Sequence, residues 1–89
     1  MRQDIKKQIE VRLKRIEGQV RGLQKMIDVE TYCIDVITQT SAVRKALSAV
    51  EDLLLENHLS THVVEQMKSG NVKKATDEII SIYKLSKKK

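Results

Sequence analysis

Between Gln3 and Asp28, apolar residues recur at Ile9, Leu13, Ile16, Val20, Leu23 and Ile27. The steps alternate between four and three, the a/d seam of a helix built to pack along another helix. "DVETY" (residues 28–32) breaks the rhythm, with Thr31 as the expected N-cap of a second helix. That helix is expected to run from Tyr32 to about Met67, with a seam at Val36, Thr40, Val43, Leu47, Val50 and Leu54. At ~1.5 Å per residue it would be a rod of ~54 Å, far longer than ordinary globular helices of ~8–20 residues. Small residues Ser41, Ala42, Ala46, Ser48 and Ala49 near its middle permit a close symmetric crossing. "KSGN" (residues 68–71) ends the rod, with Gly70 just beyond the helix terminus. A short third helix is expected over about Val72 to Leu85, with Ala75, Ile79, Ile82 and Tyr83 facing inward. "SKKK" (residues 86–89) reads as a solvated tail.

The pattern predicts one all-α domain over residues 1–89, with two long helices and one short one. Such a flat layer leaves its apolar seams open. An antiparallel dimer would close them into a four-helix bundle. Composition agrees, because the chain has no Pro, no Trp and no Phe, and only 2 Tyr and 3 Gly. Its core must be aliphatic and, at 89 residues, thin.

Charge adds a partner to this picture. Lys plus Arg number 17 against 12 Asp plus Glu, a net charge of +5. That balance suits a polyanion. Basic residues crowd the first helix at Arg2, Lys6, Lys7, Arg12, Lys14, Arg15, Arg21 and Lys25, and Arg44 and Lys45 sit mid-rod. With so few aromatic residues there is no base-stacking platform, so duplex DNA is the expected nucleic acid. No apolar stretch approaches the ~20 residues of a membrane span, and the N-terminus lacks an apolar targeting core. A single cysteine allows no intrachain disulfide. These features predict a cytoplasmic protein with no membrane partner.

The remaining chemistry lies in Cys33 and in the only two histidines, His58 and His62. Histidines at i and i+4 share a helical face and can share a metal. Imidazole suits Zn, Cu, Ni and Co, and thiolate favours Cu(I) and Zn. On one continuous helix Cys33 and His58 are separated by ~37 Å, so they cannot bind one ion within one chain. In an antiparallel pair with its dyad near residues 46 to 47, Cys33 of one chain falls opposite the His58–His62 turn of the other. The metal hypothesis and the packing hypothesis select the same dimer.

"RLKRIEGQVRGLQKMI" (Arg12 to Ile27), "YCIDVITQTSAVRKAL" (Tyr32 to Leu47) and "LLLENHLSTHV" (Leu53 to Val63) together resemble the copper-sensing operon repressor family, which also includes nickel/cobalt, formaldehyde and persulfide sensors. The resemblance covers nearly the whole chain. It implies an all-α dimer of dimers that binds operator DNA without a helix-turn-helix and releases it when inducer binds. It puts the family's inducer-site cysteine on Cys33, its histidine on His58 and its third ligand on His62, where many copper sensors have a second cysteine. Two outer positions that couple copper binding to DNA release in such sensors match Tyr32 and Glu78.

The residues then rank the inducers. A persulfide sensor needs two thiols. A formaldehyde sensor like the known ones needs an N-terminal proline amine, and position 2 is Arg2. Nickel and cobalt sensors use more ligands, including an N-terminal His that "MRQDIKKQ" lacks, although Asp4 or the α-amine could substitute. Cu(I) is served by three soft-to-borderline ligands, and Zn(II) would want a fourth, such as water. Cu(I) therefore ranks first, Ni(II) or Co(II) second and Zn(II) behind. Within the motifs that carry the resemblance, Arg12, Arg15, Arg21, Arg44 and Lys45 are the expected contacts to double-stranded operator DNA. No Ser/His/Asp set and no Gly-rich phosphate loop points to an enzyme. A metal-storage protein would not need the basic surface, and a purely architectural DNA-binding coiled coil would ignore metal.

Overall fold

The computed structural model describes residues 1–87. Among them the regular structure is helical throughout, in the order α1 (Gln3–Asp28), α2 (Cys33–Ser60), α3 (His62–Lys68) and α4 (Val72–Lys87). The expected all-α class holds and α1 has the expected bounds. The expected second helix is divided at Thr61 into α2 and α3. The third, now α4, runs two residues past Leu85 and takes in Ser86 and Lys87 of the expected tail, where the Lys87 ammonium sits 5.2 Å from the Tyr83 ring centroid. Lys88 and Lys89, the end of that tail, lie outside the described residues. No helix among the described residues is long and apolar enough to cross a membrane.

The chain divides into two compact units, Met1–Leu55 and Glu56–Lys89. In the first, Ile5, Ile9 and Ile16 of α1 and Val43 and Val50 of α2 form a buried cluster, flanked by Leu23, Ala46 and Leu53. The two heptad columns have different fates. Ile9, Ile16 and Leu23 turn into this core, as do Val43 and Val50, and Val36 is half-buried. Leu13 and Val20 on α1 and Leu47 and Leu54 on α2 each stay 42 or 43% exposed. One protomer therefore consumes half of each seam and leaves the other half uncovered.

The link from α1 to α2 departs from the expected cap. The Thr31 N–H donates to the Met26 carbonyl at 2.8 Å and the Glu30 N–H to Ile27 at 3.1 Å, which closes α1 by a Schellman motif. Thr31 is thereby committed to the end of α1. The Tyr32 carbonyl accepts the first bonds of α2, from Asp35 at 3.0 Å and Val36 at 3.2 Å, so Tyr32 is the N-cap residue. Glu30 occupies the left-handed region at φ 55°, a place that favours glycine.

In the second unit, Val63 on α3 and Ala75 on α4 are buried and Ile82 is half-buried. Ile79 and Tyr83, expected to face inward, are exposed in the protomer, Tyr83 by 59%. The α3–α4 turn repeats the first closure: Asn71 N–H to Gln66 carbonyl at 2.7 Å, and Gly70 N–H to Met67 at 3.1 Å. Here the left-handed residue is the expected one, Gly70, at φ 83°. The two turns make opposite predictions. A left-handed non-glycine residue costs about 1–2 kcal/mol, partly offset by glycine's larger loss of freedom on folding. Glu30→Gly should raise the unfolding free energy by about 0.5–1 kcal/mol, and Gly70→Ala should lower it by about 1 kcal/mol. Equilibrium unfolding followed by circular dichroism measures both.

Candidate functional site

Both histidines belong to the second unit, and the helix break sets their geometry. The Ser60 and Thr61 hydroxyls donate to the buried Asn57's carbonyl at 3.3 and 2.6 Å, and the Thr61 N–H donates to it at 3.0 Å. Side-chain hydroxyls that compete for helical carbonyls bend and interrupt helices. Here the chain turns at Thr61 and restarts at His62. The His58 and His62 rings end 5.3 Å apart between centroids, edge to face at 86°. His58 is half-buried and His62 exposed.

Glu78 on α4 closes the other side of His58. The His58 Nε2 atom lies 2.8 Å from Glu78 Oε2. Nε2 is buried, and the close approach to that oxygen does not meet hydrogen-bond geometry. Gln66 Nε2 on α3 donates to the same oxygen at 3.3 Å. The Gln66 hydrogen bond holds the Glu78 carboxyl below the ordinary glutamate range, against partial desolvation, and His58 and Lys74 add to this. The carboxylate is therefore ionised near neutral pH. With Nε2 buried against Glu78, Nδ1 is the His58 nitrogen that remains open to a metal.

Cys33 and Tyr32 belong to the first unit. Cys33 is the first residue of α2, exposed and not in a disulfide. Tyr32 is 72% exposed. Among the described residues, no three His, Cys, Asp or Glu side chains of one chain gather into a metal site. What the chain holds ready is a pair of imidazoles and, separately, one thiol. That donor set fits a soft or borderline cation. Asp4, considered as a further ligand, is bound by the Arg2 guanidinium at 2.8 Å, which holds its carboxyl below the ordinary range.

The basic residues do not form a single face. Arg12 and Arg15 line an open groove of about 540 Å³ along the start of α1, with Asp4, Lys7, Gln8 and Val11. Lys7, which was not among the expected DNA contacts, lines the same groove. Arg21 lies about 180° around the helix from Arg12 and pairs with Glu17 at 2.9 Å. Arg44 and Lys45 are exposed near the middle of α2. Gln66 and Asn57 were also not singled out by the sequence pattern. Gln66 lies outside the three motifs, and Asn57, though inside the third, has no ligand chemistry to single it out; their roles come from the Gly70 turn and the Thr61 break.

Comparison with known proteins bears on what this arrangement serves. Residues 5–84 match the family described as metal-sensitive transcriptional repressor. The chain is 46% identical over 79 residues to the copper-sensing transcriptional repressor CsoR of Bacillus subtilis (strain 168), covering 89% of this chain and 78% of that protein. It is similar to the crystal structure of the copper-sensing repressor CsoR with Cu(I) from Geobacillus thermodenitrificans NG80-2, with a TM-score of 0.86, 39% identity, and coverage of 96% of this chain and 88% of that one. The nickel-responsive transcriptional regulator InrS is similar at a TM-score of 0.72 and 32% identity, covering 84% of each chain.

Proposed function

The chain belongs to the metal-sensitive transcriptional repressors, and from that premise we propose that it binds double-stranded operator DNA as a homo-oligomer and releases it when Cu(I) binds at a site shared by two chains. In this reading Cys33 of one chain and His58 and His62 of its partner are the ligands, with Tyr32 and Glu78 as outer positions that couple the site to DNA. The observation that carries it is the half-site itself. Two imidazoles stand together with Glu78 on Nε2, and each chain has one exposed thiol to complete the site of another.

The uncovered heptad columns support the oligomer. Leu13, Val20, Leu47 and Leu54 are half-seams that a second α1–α2 pair would bury. Pairing two such layers gives a four-helix bundle, and a dimer of dimers would carry four times the +5 charge of one chain. A protein of this kind acts by binding, not by catalysis, in the cytoplasm where its DNA lies.

Copper-sensing CsoR proteins of known sequence and structure favour Cu(I). Two imidazoles to one thiolate is also a borderline set that Ni(II), Co(II) or Zn(II) can use, and InrS responds to nickel. The test selects duplexes from a random pool with metal-free protein. It then measures their affinity by fluorescence anisotropy, anaerobically, with Cu(I), Ni(II), Co(II) or Zn(II) added in separate arms. The proposal expects Cu(I) to weaken binding most. No change with any of the four metals would overturn it.

Affinity should also fall steeply with salt, with a log–log slope of about −0.9 per phosphate neutralised. Arg15→Ala and Arg44→Ala should each weaken DNA binding and reduce that slope by about 1 per lost phosphate contact in each chain, while Cu(I) affinity is unchanged. Unaltered slopes in both variants would remove these residues from the DNA face.

A further inference from the structure

Three helices of the second unit meet at one carboxylate oxygen. Glu78 Oε2 on α4 receives the Gln66 amide from α3 at 3.3 Å and faces His58 Nε2, in the last turn of α2, at 2.8 Å. Gln66 is half-buried, and its side-chain carbonyl oxygen is buried without a hydrogen-bond partner. A carboxylate accepts and does not donate, so only the NH₂ end of the Gln66 amide can face Glu78. The opposite end of the amide is then the buried carbonyl oxygen, which finds no hydrogen-bond partner among the described residues. A glutamine packed only for its bulk has no need of that orientation.

We propose that Gln66 is a positioning residue for the metal site: its amide holds the Glu78 carboxylate in front of His58 Nε2, so that His58 presents Nδ1 to the ligand and its movement is passed to α4. The inference rests on the reading of His58 as a metal ligand. Without the amide, Glu78 remains charged but is free to rotate toward solvent or toward Lys74, and the imidazole loses the partner that orients it. Outer partners of this kind fix ring orientation around metal sites. Gln66 also ties α3 to α4 beside the Gly70 turn, so one side chain links the two helices that flank His58.

The test has one metal-free arm and one coupled arm. In metal-free protein, the Gln66 carboxamide protons should resonate away from those of exposed Gln3 and Gln8 in a ¹H–¹⁵N correlation spectrum, and return to that range in Glu78→Ala. In the second arm, Gln66→Met keeps length and bulk but removes the donor. It should cut the Cu(I)-dependent loss of operator affinity several-fold. The double variant Gln66→Met/Glu78→Ala should match Glu78→Ala alone, because the glutamine acts through the glutamate. Gln66 carboxamide shifts like those of Gln3 and Gln8, full coupling in Gln66→Met, or additive effects in the double variant would each overturn the inference. If the parent protein shows no Cu(I)-dependent release, the repressor reading fails, and the metal-free spectra still decide whether Gln66 holds Glu78.

Discussion

Replacing Cys33 with alanine is expected to abolish stoichiometric Cu(I) binding and to leave the protein on its operator whatever the copper level. Cys33 is the only thiol, and it stands exposed and unpaired at the start of α2. Cu(I) is a soft cation, and the other two proposed ligands are borderline imidazoles. Losing the thiolate leaves only the two imidazoles, which should not compete with a strong Cu(I) chelator. Allosteric couplings are typically ~1–3 kcal/mol, a ~5–150-fold change in affinity. Cys33→Ala should lose all of it while its metal-free operator affinity stays at the parent level. Chelator competition and operator anisotropy, both anaerobic, measure the two halves. A variant that still bound one Cu(I) per chain would remove Cys33 from the site.

Much of this was legible in the sequence, and the misses have physical reasons. The bounds of α1 follow from its heptad steps and from the loss of rhythm after Ile27. The α2–α3 break was hidden because apolar residues continue through it at Val63, Val64 and Met67. At the break, the Ser60 and Thr61 hydroxyls both donate to the Asn57 carbonyl, a convergence that periodicity does not record. Thr31 has the residue type of an N-cap, but its N–H is used to close α1, which passes that position to Tyr32. A glutamate in a left-handed turn gives no compositional warning, whereas Gly70 does. Ile79 and Tyr83 follow the apolar pattern yet are exposed in one chain, as they would be if another chain covers them. At the candidate site, the i, i+4 spacing singled out the histidine pair whose rings stand edge to face. Gln66 escaped because a glutamine twelve residues before a glutamate is no motif until the turn at Gly70 folds α4 back along α3.

Glu78→Ala is expected to separate metal binding from DNA release. Glu78 is not a proposed ligand, so the variant should still take up one Cu(I) per chain at saturating metal, with affinity reduced by no more than the ~10–100-fold typical of outer partners. Release requires that metal favour the DNA-free conformation, and three ligands alone supply no such preference. On the proposed reading the His58–Glu78 contact supplies it, because it joins a proposed ligand on α2 to α4 through one oxygen at 2.8 Å. Without it, saturating Cu(I) should leave operator affinity within a few-fold of the metal-free value. Normal release by Glu78→Ala would take α4 out of the relay and assign the signal to α2 itself.

The shared site is tested most directly by subunit mixing. Cys33→Ala protein has the histidine half of every site, and His58→Ala/His62→Ala protein has the cysteine half. Neither should bind Cu(I) tightly alone. After proven subunit exchange, a purified heterodimer should regain one high-affinity Cu(I) per dimer, since one of its two sites then holds all three ligands. A heterodimer with no high-affinity site would contradict a site built from two chains.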